Sequence, residues 1–328
     1  MLAQHLNQKV FDADVEHVAN RVGYGKGLLR AGTEDERVVA LCADLTESTQ
    51  THLFAEKFPT RFVQMGVAEQ NMASVASGMS AMGKIPFMAS YAMFSPGRNW
   101  EQIRTTIAYN NANVKIIGAH AGISVGPDGA THQAIEDVAL MRVMPNMIVI
   151  APCDALEAEK AVLKAAAHEG PVYIRIAREK TPIITTPETP FEIGKAEVYF
   201  EKNPSHQKSV GIIGSGSVLF QALTAAKALE EKGTGATVLH IATIKPLDEK
   251  AVLALAESHD FLVVVEEHQA AGGLGSAVAE YLSEVRPTKI LRVGVRDQFG
   301  QSGTQAELLA HYGLDAESIV ARIEKESN

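Results

Sequence analysis

Cysteine is nearly missing from this chain: two residues in 328, Cys42 and Cys153. Both close apolar, strand-like runs, so they read as small buried hydrophobes in a reducing compartment, and a disulfide scaffold is excluded. Long hydrophobic runs are absent too. Nothing approaches a membrane span, and the opening MLAQHLNQKVFDADVEHV contains no apolar signal core. Positive charge is in deficit, with 30 Lys and Arg against 39 Asp and Glu and a formal charge of −9. No stripe of Lys and Arg is available for nucleic acid, so a nucleic-acid partner and a membrane partner are both excluded. These absences lead to a cytoplasmic globular protein. The length suits two domains, each with its own core.

Short, nearly continuous apolar runs alternate with helical patterns. VVALCADL (38–45), VKIIGAH (114–120), MIVIAPC (147–153) and VYIRIA (172–177) read as buried parallel strands. Helical stretches fall near 69–83, 98–110, 132–142 and 154–168. The segment 179–208 breaks the alternation with Pro, Thr and polar residues and reads as a linker plus an edge segment. A second alternation follows, with VGIIGSG (210–216), ATVLHIAT (236–243), FLVVVEEH (261–268) and TKILRVGV (288–295) as strands. The expected fold class is α/β. Two domains, 1–190 and 191–328, would each be a mostly parallel sheet with helices on both faces. Ligands in such sheets bind beyond the carboxyl ends of the strands. The loops after Leu45, Ser90 and His120 are therefore the places to look.

Glu69 opens the helix that follows GVAEQNM (66–72). The residues behind it, Met72, Val75, Ala76, Met79 and Met82, recur at helical spacing, which predicts burial over most of the surface. A carboxyl group at the edge of such a helix loses solvation and becomes able to share a proton with a ligand base. A first-turn glutamate is also simply favoured by the helix dipole. The loop HAGISVGPDGATHQ (120–133) sets His120, Asp128 and His132 among three glycines. Glycines admit close backbone approach, and these side chains supply donors and acceptors at neutral pH. Polar contacts to a hydroxylated ligand fit them better than a metal, because no supporting carboxylate cluster accompanies them. Tyr91 and Phe94 in YAMFSPGRNW (91–100) are either core aromatics or a stacking site for a flat heterocycle. Arg21, Arg98, Arg104 and Arg178 are surface salt-bridge residues or seats for anionic groups. GSGS (214–217) and AGGLGSA (271–277) sit where phosphate-binding turns occur, but neither has the full dinucleotide spacing, and tight structural turns are the preferred reading.

Together ADLTEST (43–49), GVAEQNM, YAMFSPGRNWEQIR, HAGISVGPDGATHQ and VRDQFGQSG (295–303) closely resemble the transketolase family of thiamine diphosphate enzymes, from about residue 15 to the end. That family has diphosphate-binding, pyrimidine-binding and C-terminal domains, and this sequence resembles the second and third. The GDG…Asn metal-and-diphosphate signature of the first is missing, and the chain starts at Met1 just ahead of the pyrimidine domain. The resemblance therefore implies the C-terminal subunit of a split transketolase. A separate N-terminal subunit carrying that motif would complete the site and ligate Mg²⁺, in an α₂β₂ assembly acting on sugar phosphates. Glu69 matches the glutamate that hydrogen-bonds N1′ of the aminopyrimidine. Tyr91 and Phe94 resemble the pyrimidine-stacking aromatics, with the choice of ring open, and Asp44 sits where the family approaches the thiazolium. His120 and His132 match histidines near the reacting carbons, and Asp128 matches a residue that reads a substrate hydroxyl. Arg21, Ser48 and Arg178 match phosphate-binding positions. The relatives weighed against this are 1-deoxyxylulose-5-phosphate synthase, which typically carries Asp-Arg where this chain has Ala119-His120, and the β subunit of 2-oxoacid dehydrogenases, which lacks DGATHQ. A non-catalytic structural homologue is the alternative outside enzymes, and a nucleotide-binding module built on GSGS is another.

Overall fold

The computed structural model describes residues 1–327. Two sheets organise it. The first has seven strands, in the spatial order Thr243–Lys245, Ile148–Ile150, Val172–Ile176, Lys115–Ala119, Ile85–Tyr91, Val38–Cys42, Phe62–Gln64. All are parallel to their neighbours except Thr243–Lys245, which runs antiparallel to Ile148–Ile150. The second has five, in the order Ile290–Val295, Phe261–Gln269, Ser209–Gly214, Gly235–His240, Glu197–Phe200, parallel apart from the last. The central strands are buried along their whole length. Strands covered on both faces need apolar side chains at every position, which explains why these segments read as runs rather than alternations.

Helix Asn20–Glu34 packs closely on helix Ala155–Ala167. Gly23 makes this possible, since a Cβ there would lie 1.8 Å from the Ala155 carbonyl oxygen. Sequence and structure diverge at 179–208. Lys180–Pro182 pairs antiparallel with His17–Ala19, and Thr181–Thr185 are buried. Asp154 ties this stretch down: it accepts the Ile184 and Thr185 amides at 2.8 and 2.6 Å and the Thr185 hydroxyl at 2.8 Å. The polar composition that reads as a linker is instead a set of donors consumed by one buried carboxylate. The edge segment does form, as Glu197–Phe200.

The two halves also exchange parts. Leu6 and Val10 lie in the core of the second sheet, and Leu2 bridges Phe200. In return Thr243–Lys245, contributed by the second half, edges the first sheet. Among the described residues no helix is long and apolar enough to cross a membrane.

Candidate active site

Helix Glu69–Ala81 starts on Glu69, whose side chain is 1% exposed. The helix is buried on one face only. Met72, Ala73 and Ala76 are covered, Val75 and Met79 are half-buried, and Met82 is 83% exposed. The expectation of burial over most of its surface is corrected: small residues at Ser74 and Gly78 leave the outer face open. Glu69 is not isolated among apolar groups either. Arg98 Nη1 donates to Oε2 at 2.7 Å, the Ser90 hydroxyl lies 3.4 Å from Oε1, and Asn99 Nδ2 donates to the backbone carbonyl at 3.1 Å. Arg98 fixes one carboxylate oxygen and leaves the other with a single long contact, so one oxygen remains available to a ligand nitrogen.

Tyr91 ends its strand and stacks on His120 with ring centroids 4.0 Å apart. Phe94 lies nearly parallel to Tyr91 at 6.2 Å, and His132 meets both rings edge-on at 6.2 and 5.6 Å. A third ring between Tyr91 and Phe94 would need about 7 Å, two carbon contact distances. The pair therefore frames no slot, and a heterocycle would use one ring's face. Arg98 already sits over Phe94, 4.9 Å from its centroid.

His120 is 1% exposed, at the carboxyl end of Lys115–Ala119 with φ +53°. Its pKa is pushed down to about 3, first by burial and then by the positive charge of Arg21 and Arg178 and by His132. The imidazole is thus neutral across the physiological range. Its Nδ1 is buried with no hydrogen-bond partner among the described residues. Arg178 contacts the Val125 carbonyl and lies 3.6 Å from Asp128, which is partly exposed. Arg21 Nη1 donates to the Ser48 carbonyl at 3.1 Å, and the Thr131 hydroxyl lies 2.9 Å from His132 Nδ1. Asp44 is exposed past the end of Val38–Cys42, with φ +61° and its amide donating to Gln64 Oε1. Tyr91, Phe94, His120 and His132 are linked ring to ring, Glu69 joins them through Arg98 over Phe94, and Asp128 pairs with Arg178, whose charge acts on His120. Arg21 and Ser48 form their own pair, close enough for Arg21 to act on His120. Arg104 lies elsewhere, lining a cavity with Tyr109 and Asn146.

Sequence reasoning missed what holds the glycine loop. Glu267, 3% exposed on the central strand Phe261–Gln269, accepts the Ser124 amide at 2.5 Å and the Ser217 hydroxyl at 2.7 Å. Gly122 has φ +86°, and a Cβ on it would lie 2.3 Å from Glu267 Oε1. Gln133 Nε2 donates to the carbonyls of Ile123 and Gln301 at 2.9 and 3.0 Å, which ties in the VRDQFGQSG segment. Behind the loop, Arg175 pairs with Asp137 at 2.9 Å and donates to the Glu267 carbonyl at 2.8 Å. A double acid within an apolar strand, VVVEEH, was the available signal.

The glycine clusters prove structural. Glu266 caps helix Leu274–Val285 by accepting the Leu274 and Gly275 amides at 2.7 and 2.9 Å. The anion seat at that N-terminus is filled by the chain's own carboxylate. Gly216 closes a tight turn at φ +69°, and Ser217 is spent on Glu267.

The aminopyrimidine half of thiamine diphosphate fits this arrangement, with a free Glu69 oxygen, aromatic faces and the unpartnered His120 Nδ1 on one side. Among the described residues the group of His, Cys, Asp and Glu able to hold a cation is Cys153, Glu157 and His240, which is buried and shares no residue with this site.

Residues 16–183 match the transketolase pyrimidine-binding domain and residues 200–319 the transketolase C-terminal domain. A chain of Methanocaldococcus jannaschii named as a transketolase C-terminal section is 47% identical, over 93% of this chain and 95% of its own length. The 6-deoxy-6-sulfo-D-fructose transketolase subunit SqwH of a Clostridium species is 40% identical over 94% and 95%. Rat transketolase is 36% identical over 97% of this chain but 50% of its own length. A solved structure described as a split gene transketolase, inactive beta4 tetramer, superposes with TM-score 0.86 at 47% identity, covering 94% of this chain and 98% of the other. By its paired domains and by these relatives, the chain belongs to the transketolase family.

Proposed function

We propose that this chain is the C-terminal subunit of a split transketolase, moving a two-carbon ketol unit from a ketose phosphate to an aldose phosphate with thiamine diphosphate. A separate N-terminal subunit bearing the GDG…Asn motif supplies the diphosphate and Mg²⁺ ligands, and the two assemble as α₂β₂ in the cytoplasm. The observation that carries the reading is Glu69, a buried carboxylate with one oxygen to spare, at the head of a helix whose outer face is uncovered. Two relatives named as a transketolase section and subunit match nearly end to end, whereas rat transketolase is twice as long, which supports a second chain. The solved relative described as an inactive tetramer of β chains supports both self-association and the need for a partner.

When bound, thiamine diphosphate supplies a thiazolium that stabilises carbanions. Glu69 then holds N1′ of the aminopyrimidine and shares a proton with it, its other oxygen anchored by Arg98. Tyr91 or Phe94 covers the pyrimidine face. Neutral His120 offers Nδ1 to a substrate hydroxyl as acceptor or donor, while His132, held by Thr131, stands opposite. Asp128 reads a hydroxyl further along the sugar. Arg178, Arg21 and the Ser48 region receive the phosphate. A phosphate there would offset the two guanidinium charges that add to burial in depressing His120.

The test is Glu69→Gln in the complex reconstituted with its N-terminal subunit, assayed for ketol transfer. Turnover should fall by about 10²–10⁴-fold, the range for loss of a proton-transfer partner, with assembly and thermal midpoint retained. Unchanged turnover overturns the role of Glu69, and a wild-type complex that transfers no ketol unit overturns the function.

A further inference from the structure

Cys153, Glu157 and His240 meet at the seam between the two sheets, away from the site above. One ligand atom from each lies within 4.8 Å of the others, and the residues are 0%, 2% and 2% exposed. Cys153 stands just ahead of Asp154, the N-cap of helix Ala155–Ala167, and Glu157 in the first turn reaches back to accept the Cys153 amide at 2.7 Å. Asp154 holds the helix start by accepting the Glu157 amide at 2.9 Å. His240 arrives from the end of the strand Gly235–His240 in the other sheet. Its Nδ1 donates to the Gly214 carbonyl at 3.2 Å, which turns Nε2 toward Glu157 at 2.8 Å. A backbone carbonyl on the far ring nitrogen is how proteins orient a metal-ligating histidine. A second observation comes from Tyr199. Its side chain is fully buried, its hydroxyl has no partner among the described residues, and it lines with Glu157 and His240 a void of about 10 Å³. That is roughly the room of one water or one small ion.

We propose that Cys153, Glu157 and His240 bind one zinc-class divalent ion, with a water or the Tyr199 oxygen as fourth ligand, forming a clasp between the two halves of the chain. The sulfur, nitrogen and oxygen donors are those of tetrahedral zinc. With bonds of about 2.0–2.3 Å, ligand atoms in such a site stand about 3.5 Å apart. To reach that geometry the Cys153 sulfur draws in, while His240 Nε2 and Glu157 Oε2, 2.8 Å apart without metal, open by about 0.7 Å to admit the ion. Both His240 ring nitrogens face acceptors, the Gly214 carbonyl and the Glu157 carboxylate, so without metal the imidazole carries both protons and pairs with the carboxylate beside the Cys153 thiol. Binding forms Zn–S, Zn–N and Zn–O bonds and expels two protons, one from Cys153 and one from His240, with no change of oxidation state. The pocket stays neutral, so a divalent ion enters at no net cost in buried charge.

The experiment uses the full chain purified without chelator from zinc-supplemented medium, with metal counted by mass spectrometry. About one zinc per chain is expected, surviving gel filtration and lost in Cys153→Ala. Cobalt substitution should give a thiolate-to-cobalt absorption band that Cys153→Ala also lacks. Cys153→Val serves as a second variant, filling the space without a ligand, so that loss of metal is separable from loss of fold. A wild-type chain with no retained zinc, and no shift in thermal midpoint when zinc is titrated into it, overturns the proposal and leaves a buried ion pair. None of these readouts depends on enzymatic activity.

Discussion

Replacing Glu267 by Ala tests whether the second sheet governs the catalytic loop. The carboxylate accepts two hydrogen bonds, from the Ser124 amide at 2.5 Å and the Ser217 hydroxyl at 2.7 Å, in a setting closed to water. Charge-assisted bonds of this kind contribute about 1.5–3 kcal/mol each, and the orphaned Ser124 amide adds a desolvation cost of about 1–3 kcal/mol. The loop 122–126 sits directly on this carboxylate, so the loss falls on the segment that connects His120 to Asp128. Ligand groups displaced by about 1 Å cost roughly 10²-fold in rate. We expect Glu267→Ala to lower kcat of the reconstituted enzyme by about 10–100-fold, and Glu267→Gln, which keeps an acceptor for Ser124, to recover most of it. The assay is steady-state ketol transfer alongside thermal unfolding and circular dichroism. A folded Glu267→Ala variant with wild-type kcat and KM would refute the reasoning, since the loop would then hold its shape unaided.

Arg175→Met strips the buried Asp137 carboxylate of its cation and frees the Ala134 and Glu267 carbonyls; chemical denaturation should show a loss of about 3–5 kcal/mol. Lys115 is buried, donating to the His168 and Gly170 carbonyls at 2.7 Å, and burial brings its pKa to about 7. Between about 7 and 10.5 the unfolded chain then binds more protons than the native one, so stability attributable to this residue rises with pH. Urea midpoints measured at pH 7 and 9 should favour wild type over Lys115→Met by about 1–2 kcal/mol more at the higher pH. Gly23→Ala drives a methyl into the Ala155 backbone, which cannot yield without moving a helix, and should cost about 1–3 kcal/mol by calorimetry.

What the sequence disclosed and what it withheld separate along physical lines. Strands such as Val172–Ile176, buried on both faces, announce themselves as apolar runs, and helix Ala155–Ala167 by its period and its Asp154 cap. Glu69, His120 and His132 were singled out by the apolar helix and the glycine loop that carry them and by the family resemblance, and the structure buries Glu69 and His120. Arg98 was read as a surface salt-bridge residue or an anion seat; it does form an ion pair, but with the buried Glu69, 29 residues away in the chain. Glu267 escaped because the partner that matters to the loop is the Ser124 backbone amide of the other half, and no local pattern marks a backbone partner. The edge strand Thr243–Lys245 escaped because three residues are too few for a period, and its pairing is set by the sheet it joins.

The crossing of the two halves carries a mechanical consequence. The first dozen residues brace the sheet formed last in the chain, and Thr243–Lys245 reaches back to close the sheet formed first. Pulling the halves apart would unravel an edge of each, so strain applied to one is transmitted to the other before any hinge can open. A cut within 186–196 would leave two fragments still clasped through these crossings. Helix Glu69–Ala81 lies on strands Ile85–Tyr91 and Val38–Cys42, so whatever docks on its open face meets a surface set from behind by the sheet that Thr243–Lys245 closes.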